Sequence, residues 1–126
     1  MPAKTIVLYV EDNDANFTLV QRLLQATQKI DVCRARSCED ARHFLNAQTP
    51  ALILLDHELP GMLGIDYAKE LKSTPATAAI PLVLITASVM KREREEALAA
   101  GVDKFMEKPF DIVALRNLVE QMTGLA

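Results

Sequence analysis

Short apolar runs alternate with stretches of helical spacing along this chain, and that alternation restricts the fold more than any other feature. Continuous runs stand at Ile6–Val10, Ala51–Leu55 and Leu82–Ile85. Strands buried on both faces have this pattern, as in a parallel sheet covered by helices. Two further segments, Val32–Ala35 and Val102–Met106, mix apolar residues with charge and suit less buried or edge positions. Between them, Phe17, Val20, Leu23 and Leu24 mark a first helix, and Ala41, Phe44 and Leu45 a second. Ile112, Leu115, Leu118, Val119 and Met122 form the clearest stripe, in the last helix. Five alternations within 126 residues imply one domain over 1–126. Its class is a doubly wound α/β fold with a five-stranded parallel sheet and right-handed crossovers.

The boundaries carry signals of their own. Ser37 with Asp40 resembles a capping box, with Asp where Glu or Gln is usual. Asp111 caps the last helix, Pro75 stops the third and Gly101 ends the fourth. That fourth helix, from about Val89 to Ala100, begins KREREE and has almost no apolar stripe. Few contacts should hold it, so it is the element expected to shift when the site changes state. Charge pairs such as Arg92 with Glu96 would stabilise its solvated face.

A formal net charge of −3 and a pI near 5.4 provide no basic field for nucleic acid or anionic lipid. No apolar run approaches the roughly 18 residues that span a bilayer. The N-terminal segment lacks the small-residue finish of a secretory signal, so a cytoplasmic location is expected. Cys33 and Cys38 have no CxxC pairing and read as a half-buried strand thiol and a helix-start thiol, both reduced.

Each strand-like run ends in reactive chemistry. Glu11 and Asp12 follow IVLYV, Asp56 follows ALILL, Thr86 follows PLVLI, and Lys108 follows VDKFM. In open α/β sheets ligands bind beyond the carboxyl ends of the strands. Carboxylates gathered there repel by about 4 kcal/mol per pair at 4 Å and an effective dielectric of 20. A cation relieves that repulsion, and hard oxygen ligands select Mg²⁺, or Mn²⁺, over softer metals. Asp12 and Asp56 read as direct ligands, with Glu11 acting directly or through a coordinated water. Asp56, alone at the end of a central strand, is the best nucleophile toward phosphorus. Lys108 and the Thr86 hydroxyl would each take a phosphoryl oxygen, which suits chemistry that is mostly placement and electrostatics. Innocent readings exist for each residue: a helix cap at Glu11-Asp12, a turn residue before PG at 60–61, strand filler, a surface lysine. All four would have to hold at once.

VEDN at 10–13, LLDHELPGMLG at 54–64, ITAS at 85–88 and KPF at 108–110 together resemble the receiver domain of bacterial two-component response regulators. The resemblance covers essentially the whole chain. It implies strand order 2-1-3-4-5, a flavodoxin-like (βα)5 fold and Mg²⁺-dependent phosphorylation of Asp56 by a histidine kinase or histidine phosphotransfer protein. It also implies a switch in which Thr86 moves toward the phosphoryl group and Phe105 turns inward behind it. The Lys108-Pro109 bond falls at the family's cis position.

Two positions depart from the ordinary pattern. Phe105 lacks the hydroxyl that a tyrosine would bring, so an inward state rests on packing. Glu58 stands where its backbone carbonyl would complete the metal shell. Its side chain is expected to pair with a nearby cation, Lys91 being one candidate, and to alter the phosphoryl lifetime. His57 reads as an accessible loop residue.

Three functions compete. The leading one is a phosphoryl-accepting switch, not an enzyme, that binds a downstream protein through its fourth helix, fifth strand and fifth helix. A homodimer is left open. The second is a receiver-like interaction module that works without phosphorylation. The third is a phosphatase forming an aspartyl-phosphate, for which Glu58 has the right offset and the early acids the wrong position. A flavodoxin-like cofactor binder is disfavoured, because EDND after the first strand is not a phosphate cradle. The short stretch after the last helix suggests output through other proteins, or a receiver excised from a hybrid kinase.

Overall fold

Five parallel strands carry the chain from one helix to the next. The computed structural model describes residues 4–87, 90–109 and 111–125. Ser88, Val89 and Phe110, which the sequence reading places in two motifs and at the start of the fourth helix, lie outside them. The order is β1 (Thr5–Val10), α1 (Asp14–Gln25), β2 (Ile30–Ala35), α2 (Cys38–Ala47), β3 (Leu52–Asp56), α3 (Gly64–Ser73), β4 (Leu82–Thr86), α4 (Lys91–Ala99), β5 (Lys104–Glu107) and α5 (Ile112–Thr123). The strands form one sheet ordered β2-β1-β3-β4-β5, all neighbours parallel. This is the order and class expected from the sequence.

Period-two alternation divides the buried residues between two layers. Val7 and Tyr9 of β1, Leu52 and Leu54 of β3, and Val83 and Ile85 of β4 face α1 and α5. Phe17, Val20 and Leu24 of α1 and Leu115 and Val119 of α5 cover them. Leu8, Val10, Ile53, Leu55, Leu82 and Leu84 face the other way, against α2, α3 and α4. Apart from the terminal Thr5, Asp56 and Thr86, β1, β3 and β4 are apolar throughout because both faces are covered, which explains their unbroken runs. β2 and β5 stand at the edges. β5 is only four residues long with exposed Lys104 and Glu107, a short charged edge that discourages pairing with another chain.

The helix termini obey the expected signals with two refinements. Asn13, rather than Glu11-Asp12, caps α1, its side chain accepting from the Asn16 amide at 2.9 Å. The Ser37 hydroxyl accepts from the Asp40 amide at 3.1 Å, while the Asp40 carboxylate reaches back to the Arg36 amide at 3.2 Å. Asp, one methylene shorter than Glu, bonds one residue earlier than a capping box requires. Asp111 accepts from the amides of Val113 and Ala114 at 2.8 and 3.1 Å, as expected of the last cap.

The fifth strand begins at Lys104 and not at Val102. The Val102 and Gly101 amides bond back to the carbonyls of Ala97 and Leu98, and Gly101 has φ of 91°. These are the two bonds of a Schellman motif, so Val102 belongs to the helix end, where its buried side chain seals the turn. Ile112 also departs from its predicted stripe, standing 44% exposed while Leu115 and Val119 are fully buried. The whole first turn of α5, Ile112 to Ala114, is exposed.

Candidate functional site

Parallel pairing brings the carboxyl ends of β1, β3, β4 and β5 to one edge, and with them every residue singled out there. Val10 pairs with Leu55, Asp56 with Ile85, and Thr86 with Glu107. The strands are tied one residue further on. The Glu11 amide bonds to Ala35, the His57 amide to Ile85, and the Lys108 amide to Thr86, at 2.8–2.9 Å. These bonds fix where each side chain leaves the sheet.

Glu11, Asp12 and Asp56 each offer a carboxylate oxygen, and those oxygens lie within 4.8 Å of one another. Glu11 is fully buried and Asp56 is 2% exposed, while Asp12 faces solvent. Lys108 reaches across to this group. Its Nζ donates to Asp56 Oδ1 at 2.9 Å and lies 3.8 Å from Glu11 Oε1. Burial works against the ammonium, yet the hydrogen bond to Asp56 and the charges of Asp56, Glu11 and Glu58 outweigh it and hold the Lys108 pKa above the ordinary lysine value. Glu11 is pushed the opposite way for an acid. Burial first, then the adjacent Asp56 carboxyl, raise its pKa well above the carboxylate range, and the Asn16 amide at 2.7 Å only partly opposes this.

The donor set fits a divalent cation. Oxygens sharing a Mg²⁺ at about 2.1 Å lie within about 4.2 Å of each other, so the three carboxylates need only a small contraction. Among the described residues, Glu11 Oε2 is buried with no hydrogen-bond partner. A buried carboxylate oxygen left unpaired costs stability, and a cation is the ligand that offsets the cost.

Thr86 ends β4, buried, beside a cavity of about 170 Å³ that His57, Glu58, Arg94 and Phe105 also line. Phe105 is half-buried on β5 and packs on the apolar layer under α4, with the Arg94 guanidinium 5.0 Å over its ring. Glu58 corrects one expectation. Its carboxylate lies 3.9 Å from Lys108, whereas Lys91 lies 4.0 Å from Glu95, its neighbour one helical turn along α4. The ammonium between Asp56 and Glu58 is already the closer cation. The Glu58 side chain also lies outside the group of converging carboxylates, although its amide donates to Asp56 Oδ1 at 3.3 Å. His57 is half-buried rather than open, because its Nδ1 accepts from the Ile65 amide at 3.3 Å and ties the loop to α3. The Lys108-Pro109 bond is cis, as the resemblance implies.

Three residues serve this site without having been singled out from sequence. Asn16 holds the Glu11 carboxylate from the first turn of α1. Arg34, on β2, donates from Nε to the Glu11 carbonyl at 3.1 Å. Gly64 lets the loop after Asp56 close on itself, its amide bonding to the His57 carbonyl at 2.8 Å. A Cβ there would meet the Asp56 carbonyl oxygen and would lie 2.6 Å from His57 Cα, both backbone atoms that cannot step aside. The only advance signal was weak: a glycine at a fixed offset from Asp56.

Comparison with known proteins identifies the family and the fold. The family model described as the response regulator receiver domain matches residues 7–120. The chain is 30% identical over 118 residues to the polar-differentiation response regulator DivK of Brucella ovis, covering 94% of this chain and 95% of that one. It is 36% identical over 117 residues to the response regulator PleD of Caulobacter vibrioides, covering 93% of this chain but only 26% of PleD. Among solved structures, the receiver domain of a Pseudomonas aeruginosa sensor histidine kinase, with a magnesium ion coordinated in its active-site cleft, superposes with a TM-score of 0.85. That match has 26% identity and covers 97% of this chain and 99% of the other. A doubly wound sheet in the order 2-1-3-4-5, a family match over nearly its whole length and related response regulators lead to one conclusion: the chain belongs to the response regulator receiver domain family of two-component phosphorelay signalling.

Proposed function

We propose that this protein is a phosphoryl-accepting signalling switch with Asp56 as the acceptor. The observation that carries the reading is the Lys108 ammonium held 2.9 Å from Asp56 Oδ1, beside three carboxylates whose oxygens lie within 4.8 Å of one another. The donor is a phosphohistidine on a kinase or histidine phosphotransfer protein. One Asp56 carboxylate oxygen forms the new O–P bond as the donor's N–P bond breaks, and the electron pair leaves with the imidazole nitrogen, which takes up a proton.

Asp12, Asp56 and the Glu58 backbone carbonyl would hold Mg²⁺, with Glu11 acting directly or through water. The ion supplies charge neutralisation at the transferring phosphoryl oxygens. Lys108 exchanges its bond to the Asp56 carboxylate for one to a phosphoryl oxygen, and the Thr86 hydroxyl donates to another. Phe105 then moves into the cavity beside Thr86, which changes the surface of α4, β5 and α5 and so the affinity for a downstream protein. In this reading residues 1–126 act as one receiver, located in the cytoplasm. The protein assists only its own phosphorylation and dephosphorylation and turns over no separate substrate.

Intact mass after incubation with acetyl phosphate and Mg²⁺ tests the proposal. The wild type gains one phosphoryl group, and Asp56→Asn and metal-free wild type gain none. An unmodified wild type would instead favour a phosphorylation-independent interaction module.

A further inference from the structure

The acid pair is steadied from below by a residue of the neighbouring strand. Arg34 lies on β2 directly opposite Tyr9 of β1, and its side chain is only 16% exposed. Its Nε donates to the main-chain carbonyl of Glu11 at 3.1 Å. Its Nη1 pairs with Asp14, in the first turn of α1, at 2.8 Å. The guanidinium carbon sits over the Phe17 ring, 4.8 Å from its centroid, and that ring in turn stacks on Tyr9 at 5.9 Å. One rigid fork therefore touches the first residue of the loop between β1 and α1, the first residue of α1 and the Phe17 ring one turn further on. Since the Glu11 amide is bonded to Ala35, both polar groups of Glu11's main chain are held by β2.

We propose that Arg34 is a positioning residue for the divalent cation. By bonding the Glu11 carbonyl it sets the plane of the Glu11–Asp12 peptide, and that plane aims both carboxylates at the ion. The inference rests on the phosphoacceptor reading and adds to it the residue that presents the metal ligands. Stability alone is a poor account of this arginine, because its Nη2 is buried with no hydrogen-bond partner among the described residues. An unpaired buried donor is a stability cost, and residues that break a local rule in this way cluster at functional sites. A lysine has the charge but not the planar fork, so it cannot bond the carbonyl and Asp14 while stacking on Phe17.

Charge and positioning predict opposite signs, which makes the idea testable. A positive group near the acids repels Mg²⁺, so if Arg34 acted only as a charge, removing it would tighten metal binding. If it acts by positioning, removing it weakens binding, by about tenfold as for outer-shell partners elsewhere. The experiment is calorimetric titration of the full chain with Mg²⁺ for wild type, Arg34→Met and Arg34→Lys. Thermal melts and the acetyl phosphate labelling rate as a function of Mg²⁺ accompany it. Arg34→Met is expected to raise the half-saturating Mg²⁺ about tenfold while the labelling rate at saturating Mg²⁺ stays within about twofold of wild type. Arg34→Lys should weaken binding at least threefold despite its retained charge, on the order expected for a lost outer-shell bond. A folded Arg34→Met with unchanged or tighter Mg²⁺ binding overturns the proposal, as does full restoration by lysine. Should Arg34→Met not fold, Arg34→Lys decides by the same threshold. A wild type that binds Mg²⁺ but never gains phosphate would defeat the phosphoacceptor reading while the titration still judges Arg34. A wild type that binds no Mg²⁺ would defeat both.

Discussion

The two helices that flank β5 are held in opposite ways. α5 buries Leu115 and Val119 completely against the sheet, starts on an Asp111 cap with two hydrogen bonds, and ends on Gly124 in the left-handed region at φ 76°. α4 buries only Ala97 within its length, starts on Met90 with no side-chain cap from the described residues, and leaves Leu98 55% exposed. Its first half is held by exposed charge pairs, Lys91 with Glu95 and Arg92 with Glu96. Its last turn is better anchored, through Ala97, Ala100 and the buried Val102 beyond Gly101. The site thus rests on a firm α1–α5 layer on one side of the sheet and meets a lightly held helix beside Thr86 and Phe105 on the other. Burial of apolar area, not helix propensity, makes the difference, since KREREE is a good helix former that has nothing to bury.

The largest expected contrast comes from the two leucines. Leu115→Ala should cost about 2–5 kcal/mol of unfolding free energy and Leu98→Ala no more than about 0.5 kcal/mol, measured by urea denaturation. Similar costs for the two would mean that α4 is as firmly packed as α5. Native-state hydrogen exchange probes the same contrast without mutation. Amides in the first half of α4 should open at least about 1.4 kcal/mol more easily than those around Leu115 and Val119, a tenfold gap in protection. Phosphorylation by acetyl phosphate should narrow that gap by slowing exchange in α4, and an unchanged gap would argue against α4 as the responding element.

The caps give a smaller effect. Asp111→Ala should lose about 1 kcal/mol, whereas Met90→Asp should gain a fraction of that by placing a capping side chain at the N-cap, where the described residues supply none. A loss at both positions would show that Met90 makes an apolar contact worth more than a cap. Smallest is Arg92→Ala, about 0.3–0.5 kcal/mol at low salt and less at high salt, as befits an exposed pair one turn apart. A salt-independent loss above about 1 kcal/mol would mean that Arg92 does something other than pair with Glu96.

Much of the architecture was legible because burial on two faces demands apolar residues in sequence. β1, β3 and β4 stood out for that reason, and the polar residues closing each run marked the sheet edge where the site lies. Edge elements were harder to place. Val102 reads as strand because it is apolar and β-branched, but two amide bonds to α4 commit it to a helix end. Ile112 continues a helical stripe, yet a stripe records the spacing of side chains and not which turns of the helix are covered. The choice of Lys108 over Lys91 as the cation beside Glu58 likewise depends on through-space distance between chain segments about fifty residues apart.

From residue order alone come the strand–helix alternation, the five-stranded α/β class and the residue types of the site, because periodicity and end-of-run chemistry are local properties of the chain. Packing decided the rest. Arg34 meets the Glu11 carbonyl across a β1–β2 register that no local pattern encodes. Gly64 is required by a backbone approach that arises only when the loop after Asp56 closes. Contacts between segments distant in sequence are set by the folded geometry, and there the positions of the supporting residues are settled.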